Sequence, residues 1–420
     1  MVLQNNFLVM GNGRWQQDTL MRLNESRLVD LILVIDPFHS PVESTKIKYA
    51  AFDLNSYDEI LDLAKSMAIR YVVCDTSEYG METAARLRDA LNSPGNGSKV
   101  TRCFTNKFRM RQIAEDLIQM PFEYAMVQSA DDIRHLNYSG NRSYILKPVK
   151  SHASKGVRKF RTIEEGLNFY TLNLALGFST NLVEAFIEGT EFTIESMVVD
   201  SNVIPIAISS KTRSEENFAV ATSLLFEPFT KVRAGQKLRD LNSKFIKCSR
   251  LESGITHGEY IVDTKGEVNL VEIAARGGGT EIYSKMLREL TGVDAIGYYL
   301  KSISNLDFEL PRIQSCWNIA LLGFFTFSEG VLEKVNLEEV RFDWLLSIGL
   351  NDRIGDVLQS PIDDNQRHGY FWILGKTLDQ VKQNVEALME EIVGVVSGIE
   401  VKPQIMFDLK ALIPPSQALI

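Results

Sequence analysis

The chain has 420 residues, with 45 Lys and Arg against 54 Asp and Glu and a formal charge of -9. This length predicts two or three domains, and a hydrophobic content of 45% is sufficient to fill their cores. Charged residues make up only 24% and neither glycine nor proline is in excess, which excludes disordered and collagen-like chains. Net acidity without a Lys/Arg-rich run argues against a nucleic-acid partner.

Cysteine spacing and hydropathy exclude further classes of protein. The cysteines are far apart and form no Cys-x-x-Cys, so we expect reduced thiols and neither a zinc ribbon nor a disulfide framework. The most apolar segment, Ile319 to Phe327, is well short of the ~20 residues that span a bilayer, so no membrane partner is predicted. The N-terminus has no basic segment ahead of a long apolar one, and a cytoplasmic protein is the expectation.

The first hundred residues alternate short apolar runs with helical patterns. This alternation with short connections is typical of βαβ units and a parallel sheet. Turn-forming residues concentrate in Asn92–Ser98, and we place a domain boundary near residue 102. The sequence therefore predicts a Rossmann-like domain over residues 1–102. Its predicted elements are Phe7–Met10, Thr19–Leu28, Leu31–Ile35, Tyr57–Met67, Tyr71–Cys74 and Thr83–Leu91.

Beyond that boundary the pattern changes to longer strands with intervening helices. We expect an α+β domain over residues 103–302 and a β-rich C-terminal cap over residues 303–420, so the fold class is a multidomain combination of α/β and α+β. The predicted strands are Tyr144–Leu146, Leu182–Phe186, Phe192–Val199, Val203–Ser209, Trp317–Phe327 and Gly369–Ile373, and the predicted helices are Lys107–Ile118, Ile163–Leu174, Tyr283–Leu290 and Thr377–Ile392.

A glycine-bearing turn, Gly11-Asn12-Gly13, follows the first predicted strand, where a dinucleotide-binding fingerprint would lie. Gln16 occupies the place of the third glycine, and the sequence contains no Gly-x-x-x-x-Gly-Lys-Ser/Thr loop. A tight turn between a strand and a helix is the better interpretation. NAD binding is therefore not predicted.

Two turns in the middle domain have features of a nucleotide site. A strand that ends at Lys147 precedes the small turn 154–157, whose backbone N–H groups could cover phosphates while the lysine supplies positive charge. A second strand, 182–186, ends in an acidic turn over 187–191 that could meet adenine and ribose. Each segment alone is also compatible with an ordinary hairpin or a solvated acidic turn.

The segment 257–273 has two alternating runs around Lys265-Gly266, which predicts a β-hairpin with a two-residue loop. That loop would place Glu259 opposite Glu272, whereas a four-residue loop would make them diagonal neighbours on the same face. Carboxylates opposed across strands are destabilising unless a cation intervenes, and their hard oxygens suit Mg²⁺. The hypothesis is a divalent-metal site, with an exposed acidic face as the alternative and His257 as a structural neighbour.

The order of these features resembles the ATP-grasp superfamily, whose members join carboxylates to amines through an acyl phosphate. The resemblance extends to the N-terminal turn Gly11–Trp15 and to the C-terminal run Arg367–Val381, and it is greatest for the L-amino-acid ligase branch. It covers most of the chain. The matching features are Thr105-Asn106-Lys107, Lys147-Pro148, the turn Ser154–Val157, the strand and turn Val183–Phe192, Glu259, Glu272 and Arg276.

The resemblance implies a role for each matching residue, with a mobile lid over about residues 141–205. ATP would be bound by Lys107, Lys147, Ser154, Lys155, Gly156, Val157, Glu184, Ala185, Ile187 and Glu191. Glu259 and Glu272 would hold Mg²⁺, with Mn²⁺ as an alternative, and Arg276 and Lys147 would be the catalytic cations. The substrate candidates are Lys211, Arg213, Gly278 and Thr280.

The activity implied is an ATP-dependent ligase that joins a small carboxylic acid or amino acid to an amine and releases ADP and phosphate. Its partners would be small-molecule carboxylates and amines, and a homodimer is compatible with the hydrophobic end domains. Ala274 stands where many members of the superfamily have Asn. Two alternatives stay open: a purine-pathway-like ligase that uses formate or bicarbonate, and a nucleotide-binding regulator without turnover.

Overall fold

A computed structural model describes residues 4–38, 44–118, 123–136, 142–232, 235–310 and 314–419. Within these ranges the strands are β1 (Asn6–Met10), β2 (Leu31–Ile35), β3 (Ile47–Ala50), β4 (Tyr71–Val73), β5 (Tyr124–Val127), β6 (Tyr144–Pro148), β7 (Arg158–Phe160), β8 (Asn181–Ala185), β9 (Gly189–Val199), β10 (Asn202–Arg213), β11 (Ala221–Pro228), β12 (Gly254–Asp263), β13 (Val268–Ala274), β14 (Ile319–Thr326), β15 (Gly330–Val335), β16 (Leu345–Leu350), β17 (Val357–Leu358), β18 (Gly369–Gly375), β19 (Gly394–Val396), β20 (Ile399–Val401) and β21 (Gln404–Ile405).

The helices in the same ranges are α1 (Gln17–Glu25), α2 (Tyr57–Ser66), α3 (Met81–Leu91), α4 (Ser98–Thr105), α5 (Lys107–Ile118), α6 (Ala130–Arg134), α7 (Ile163–Ala175), α8 (Gln236–Cys248), α9 (Leu287–Thr291), α10 (Ala295–Ser304), α11 (Leu378–Glu391) and α12 (Pro415–Ala418). A π-helical turn over Ile282–Met286 precedes α9. No helix of the described part is long and apolar enough to cross a membrane.

The N-terminal part contains a parallel sheet with the strand order β3-β2-β1-β4. Strand β1 is apolar from Phe7 to Met10 and β2 is apolar throughout, as expected for parallel strands that are covered on both faces. The expected Rossmann-like arrangement is present. The edge strand β3 was not predicted, because only Ile47 of its residues is buried and its pattern is too short to stand out.

A small sheet with the order β5-β8-β6-β7 has its own hydrophobic core, which includes Leu146, Phe160 and Val183. Helices α6 and α7 each begin with a capping box, in which Ser129 and Thr162 accept hydrogen bonds from the backbone N–H three residues later. The small sheet begins at Tyr124, before the first residue of the predicted lid, and ends at Ala185, before the last residue of the predicted lid. Strand β9, which the predicted lid included, belongs to the neighbouring sheet.

The large sheet has the order β13-β12-β9-β10-β11-β14-β18-β16, with β21 on β14. Strands β11 and β14 pair antiparallel, so the sheet of the β-rich cap is continuous with that of the middle domain. One hydrophobic core contains Phe7, Phe226 and Trp372, from all three predicted domains. Helix α4 runs across residue 102, and the domain boundaries stay predictions.

In the hairpin β12–β13, Glu259 pairs with Glu272 as predicted, but the loop length and the register differ from the prediction. Its loop has three residues, 264–266, because the Asp263 N–H donates to the Glu267 carbonyl at 2.9 Å. The predicted two-residue loop is therefore wrong. A β-bulge at Val271 shifts the register again, so that Glu259 still lies opposite Glu272.

Two glycines in the cap allow aromatic rings to lie flat on the sheet. Gly323 lies opposite Phe371, and Gly369 lies opposite Phe325, on β14 and β18. A Cβ atom added to Gly323 would be 2.2 Å from the Phe371 ring, and one added to Gly369 would be 2.1 Å from the Phe325 ring. Both rings are fully buried, so there is no space for them to move without disturbing the core.

We expect Gly323→Ala to lower the free energy of unfolding by about 1–3 kcal/mol, because the added methyl overpacks the core against Phe371. Urea denaturation followed by circular dichroism measures the change. Gly279→Ala is the matched control, since nothing lies within 4 Å of an added Cβ there. Equal stability of the two variants would contradict the packing described for the cap.

Candidate functional site

A cleft of about 610 Å³ lies between the small sheet and the large sheet. Strands β6 and β8 and the turn 151–157 form one wall, and strands β9, β12 and β13 form the other. The predicted site residues that line it are Lys107, Lys147, Ser154, Val157, Glu184, Ala185, Ile187, Glu191, Arg213, Glu259 and Glu272. The structure therefore brings most of the predicted nucleotide and metal residues together.

The other predicted residues lie beside or behind this cleft in the described structure. Lys155 and Gly156 belong to the turn 151–157 but do not line the cleft, and neither does Lys211, of whose side chain only 6% is exposed. Arg276, Gly278 and Thr280 follow β13, on the side facing the N-terminal sheet and the cap. The Thr280 carbonyl accepts a hydrogen bond from Trp372 Nε1 at 2.7 Å, which ties this loop to the cap.

Lys147 is held by a carboxylate that a second cation also fixes. Its Nζ lies 2.7 Å from Glu184 Oε2, and Arg111 Nε lies 2.6 Å from Glu184 Oε1. Burial lowers the pKa of Lys147 to about 8. Burial alone would raise the pKa of Glu184, but Arg111 and Lys147 outweigh it and lower that pKa to about 2. Both groups are therefore charged at neutral pH.

The β-bulge contributes to the same arrangement. It exposes the carbonyl of Val271, which accepts a hydrogen bond from Arg111 Nη2 at 2.7 Å. Arg111 thus joins β8 of the small sheet, through Glu184, to β13 of the large sheet. The position of Lys147 in the cleft depends on this link.

Each of the two predicted metal carboxylates has a lysine partner. Lys107 Nζ lies 2.9 Å from Glu272 Oε2, and Lys211 Nζ lies 3.0 Å from Glu259 Oε1. Burial opposes ionisation of both carboxyls, but Lys107 lowers the pKa of Glu272 and Lys211 holds the pKa of Glu259 well below its usual range. Both are carboxylates at neutral pH.

A second buried network lies under Glu259. His257 Nδ1 lies 2.5 Å from Glu195 Oε1, and His257 Nε2 lies 3.4 Å from Glu259 Oε1. Burial alone would lower the pKa of His257, but Glu195 and Glu259 raise it to about 9. His257 therefore contacts the candidate metal carboxylate Glu259, and its role as a structural neighbour stays a prediction.

Glu191 binds two cations. Its carboxylate lies 2.8 Å from Lys211 Nζ and accepts hydrogen bonds from Arg213 Nε and Nη2 at 2.5 and 2.9 Å. Only 7% of its side chain is exposed. Glu191 therefore fixes the direction of Lys211 and Arg213, and its predicted contact with ribose stays a prediction.

The chemistry of Glu259 and Glu272 fits a divalent cation. They lie directly opposite each other on β12 and β13, and the negative charge of Glu259 raises the pKa of Glu272, so a shared cation would relieve their repulsion. Among the described residues, no hydrogen bond reaches Glu259 Oε2 or Glu272 Oε1, and no cluster of three potential ligand side chains is found. The two carboxylates would need oxygens from a bound ligand or water to complete octahedral coordination.

The turn 151–157, which belongs to the predicted lid, is fastened to the cap. Ala153, Ser154 and Gly156 all have positive φ angles, and a Cβ on Gly156 would lie 2.8 Å from Pro148 and from Asn173. Ser154 Oγ donates to Asp364 Oδ2 at 3.1 Å, and Asp364 Oδ1 accepts from the backbone N–H of Ala221 at 2.7 Å. Asp364 thus ties the turn to both the cap and the large sheet.

Arg276 lies at the junction with the N-terminal part. Its Nε lies 2.7 Å from Glu78 Oε2, and the N–H of Gly277 donates to the Asp75 carbonyl at 2.8 Å. Glu78 and the charge of Glu272 raise the pKa of Arg276 against the effect of burial. The arginine is therefore near the candidate metal carboxylates without lining the cleft itself.

Sequence reasoning missed Arg111, Glu195, Asp364 and Glu78. Arg111 could have been found, because it follows Lys107 by one helical turn on α5 and faces the same side. The other carboxylates meet their partners only through tertiary packing, so the sequence pattern contains no sign of them.

Residues 104–280 match the ATP-grasp domain family. The chain carries an ATP-grasp domain. This match confirms the family resemblance and the fold class expected from the order of the motifs. No curated protein sequence matches the chain.

Several solved structures share the fold of the whole chain. The L-amino acid ligase from Bacillus licheniformis has a TM-score of 0.79 at 18% identity, covering 94% of this chain and 100% of that one. Phosphoribosylglycinamide synthetase from Anaerococcus prevotii has a TM-score of 0.68 at 17% identity, with coverage of 94% and 100%. The biotin carboxylase domain of the Hydrogenobacter thermophilus 2-oxoglutarate carboxylase, in complex with MgADP, ADP and bicarbonate, has a TM-score of 0.66 at 14% identity, with coverage of 96% and 92%. At these identities the likeness is one of fold.

Arg111 offers a test of the ion-pair network in the ATP-grasp domain. Arg111→Met should lower the free energy of unfolding by about 3–5 kcal/mol, because it leaves the buried Glu184 with one cation fewer. Chemical denaturation measures the loss. Arg109→Met, on an exposed position of the same helix, should change stability by less than about 0.5 kcal/mol. A loss no greater than that of the control would show that Arg111 does not hold Glu184.

Proposed function

We propose that the protein is an ATP-dependent ligase that activates a small carboxylic acid or amino acid as an acyl phosphate and joins it to an amine. The observation that supports this most directly is the cleft itself. Lys147 lies on one wall with Glu184, the paired carboxylates Glu259 and Glu272 lie on the other, and Lys107 contacts Glu272, in a space of about 610 Å³. This charge distribution is complementary to a polyphosphate with a divalent cation.

The proposed roles follow from where each side chain lies. Lys107 and Lys147 bind the phosphates, and the turn Ser154–Val157 covers them. The backbone after β8, from Ala185 to Ile187, receives the adenine ring. Glu259 and Glu272 hold Mg²⁺, which when bound neutralises phosphate charge and orients the terminal phosphoryl group. Positioning and electrostatic stabilisation account for most of the catalysis in reactions of this type.

In the proposed reaction the substrate carboxylate attacks the terminal phosphorus of ATP in line, forming a carboxyl C–O–P linkage and releasing ADP. The amine then attacks the acyl carbon, forming the C–N bond and expelling phosphate, while the amine loses its proton. Arg276 stabilises the negative charge of the acyl phosphate. The lid turn keeps water out, because the acyl phosphate would otherwise be hydrolysed.

Two alternatives differ from this proposal in their substrates or in turnover. A ligase that uses formate or bicarbonate would have the same phosphate and metal residues. A nucleotide-binding regulator would need the cleft but not the paired carboxylates and Arg276 together. Ala274 is the feature that favours the regulator, and the presence of Glu259, Glu272 and Arg276 together argues against it.

The test of the proposal is phosphate release from ATP and Mg²⁺ with a panel of amino acids, singly and in pairs, and with formate and bicarbonate. Release that requires two amino acids, with a condensed product identified by mass spectrometry, would establish the ligase. Release with formate or bicarbonate would favour the first alternative. Nucleotide binding without release from any mixture would favour the regulator.

Glu272→Gln should reduce phosphate release by about 100-fold or more with the fold intact, because it removes a charged oxygen from the proposed metal site. The rate is measured at saturating MgATP, with circular dichroism as the check on folding. Glu267→Gln, in the same hairpin and exposed in an ion pair with Lys237, should leave the rate unchanged. A normal rate for Glu272→Gln would contradict the metal assignment.

The pKa of Lys147 predicts how nucleotide affinity depends on pH. Above its pKa of about 8 the amine loses its proton and its attraction for phosphate, so the Kd of MgADP should rise about tenfold between pH 7 and pH 9. Isothermal titration calorimetry measures it. Lys147→Arg should bind with much less pH dependence, since arginine stays charged, and Lys147→Ala should bind weakly throughout. An equal pH dependence of wild type and Lys147→Arg would place the titrating group elsewhere.

A further inference from the structure

Two loops from distant parts of the chain meet at Arg276. One follows β4 of the N-terminal sheet and carries Asp75 and Glu78, and the other follows β13 of the large sheet. Their backbones are joined where the Gly277 N–H donates to the Asp75 carbonyl at 2.8 Å. Their side chains are joined where Arg276 Nε lies 2.7 Å from Glu78 Oε2, with 14% and 17% of the two side chains exposed.

These contacts restrict the guanidinium group to one orientation. The Arg276 Nε–H donates to Glu78, and Nη1 donates to the Gly277 carbonyl at 3.0 Å. An arginine has five N–H donors, so donors on the terminal nitrogens remain for a bound anion. Because one edge of the planar group is held, those donors point in a fixed direction.

The positive charge of Arg276 affects ionisable groups of the cleft. His152 lines the cleft, and burial together with the charge of Arg276 lowers the pKa of its imidazole. The charge of Glu272, on the adjoining strand, in turn raises the pKa of Arg276. Arg276 is therefore within electrostatic range of both walls of the phosphate end of the cleft.

We propose that Glu78 is a positioning residue for Arg276, through which the N-terminal part takes a direct role in the chemistry of the ATP-grasp domain. This inference rests on the proposed function, because it assumes that Arg276 stabilises the acyl phosphate. A guanidinium fixed in advance stabilises developing charge without having to reorganise, whereas a free one has to be ordered at each turnover. The role assigned to Glu78 is therefore to hold Arg276 through their ion pair.

The first measurement compares Glu78→Ala and Glu78→Gln with wild type in phosphate release from MgATP, using the amino-acid pair of highest rate. Glu78→Ala should lower kcat by about 10- to 100-fold and leave the KM for ATP unchanged, since the phosphate lysines are intact. Glu78→Gln, which keeps an acceptor for Nε–H but not the charge, should recover part of the loss. A purely structural role would not separate kcat from KM in this way.

A double-mutant cycle then decides whether Glu78 acts through Arg276. Arg276→Ala should itself be slow, and adding Glu78→Ala to it should cause no further loss, because the group to be positioned is already gone. A double variant that is slower by the product of the single effects would overturn the inference. A normal kcat for Glu78→Ala or Glu78→Gln beside a slow Arg276→Ala would also overturn it while leaving the proposed function intact.

A normal rate for Arg276→Ala would contradict the proposed function itself, which is a different outcome from those that overturn the role of Glu78. Tyr79→Phe is the control for the loop, because it removes the exposed Tyr79 hydrogen bonds to Asp53 without touching Arg276, and its kcat should be unchanged. Melting temperatures of all variants report folding. If Glu78→Ala does not fold, Glu78→Gln keeps the shape of the side chain and decides the question alone.

Discussion

The burial of charge is the constraint on which this site depends. A carboxylate or an ammonium group removed from water costs several kcal/mol unless an opposite charge lies beside it. In the cleft, Glu184 lies between Lys147 and Arg111, and Lys107 and Lys211 bind Glu272 and Glu259. These ion pairs allow the ATP-grasp domain to concentrate charge between two sheets and still fold.

The same pairs explain how such a cleft could receive a ligand with charges of both signs. On the proposed function, a polyphosphate brings negative charge to the lysines and its divalent cation brings positive charge to the carboxylates. Each half of the pair Lys107–Glu272 then exchanges one partner for another, and Lys211 keeps Glu191 when Glu259 binds the cation. Each charged side chain has a partner of opposite charge both before and after the ligand binds. The free-energy cost of removing these side chains from water is therefore met once, in folding, and does not recur on binding.

The sequence predicted what a regular period controls and missed what depends on packing between distant segments. The alternating pattern predicted β12 and β13 as a hairpin, but it did not predict the three-residue loop or the bulge at Val271, which together place Glu259 opposite Glu272. The contact between Glu78 and Arg276 joins residues 198 positions apart, and that between Ser154 and Asp364 joins residues 210 apart. Neither follows from a local pattern, because both require the relative placement of whole sheets.

Through these two long-range contacts, the cap and the N-terminal part each hold a different residue of the site. The pairing of β11 with β14 makes the cap continuous with the wall of the cleft, and the Ala221 N–H at the start of β11 fixes Asp364. Asp364 is therefore held by the large sheet, and on the proposed function the turn that carries Ser154 is the partner that moves. Arg276 is fixed in the same manner from the N-terminal side. On the proposed function, the acyl phosphate is open to hydrolysis, so the arginine has to be in place before the turn closes. Because Arg276 and the turn are anchored to different parts of the chain, the arginine would stay fixed while the turn is released.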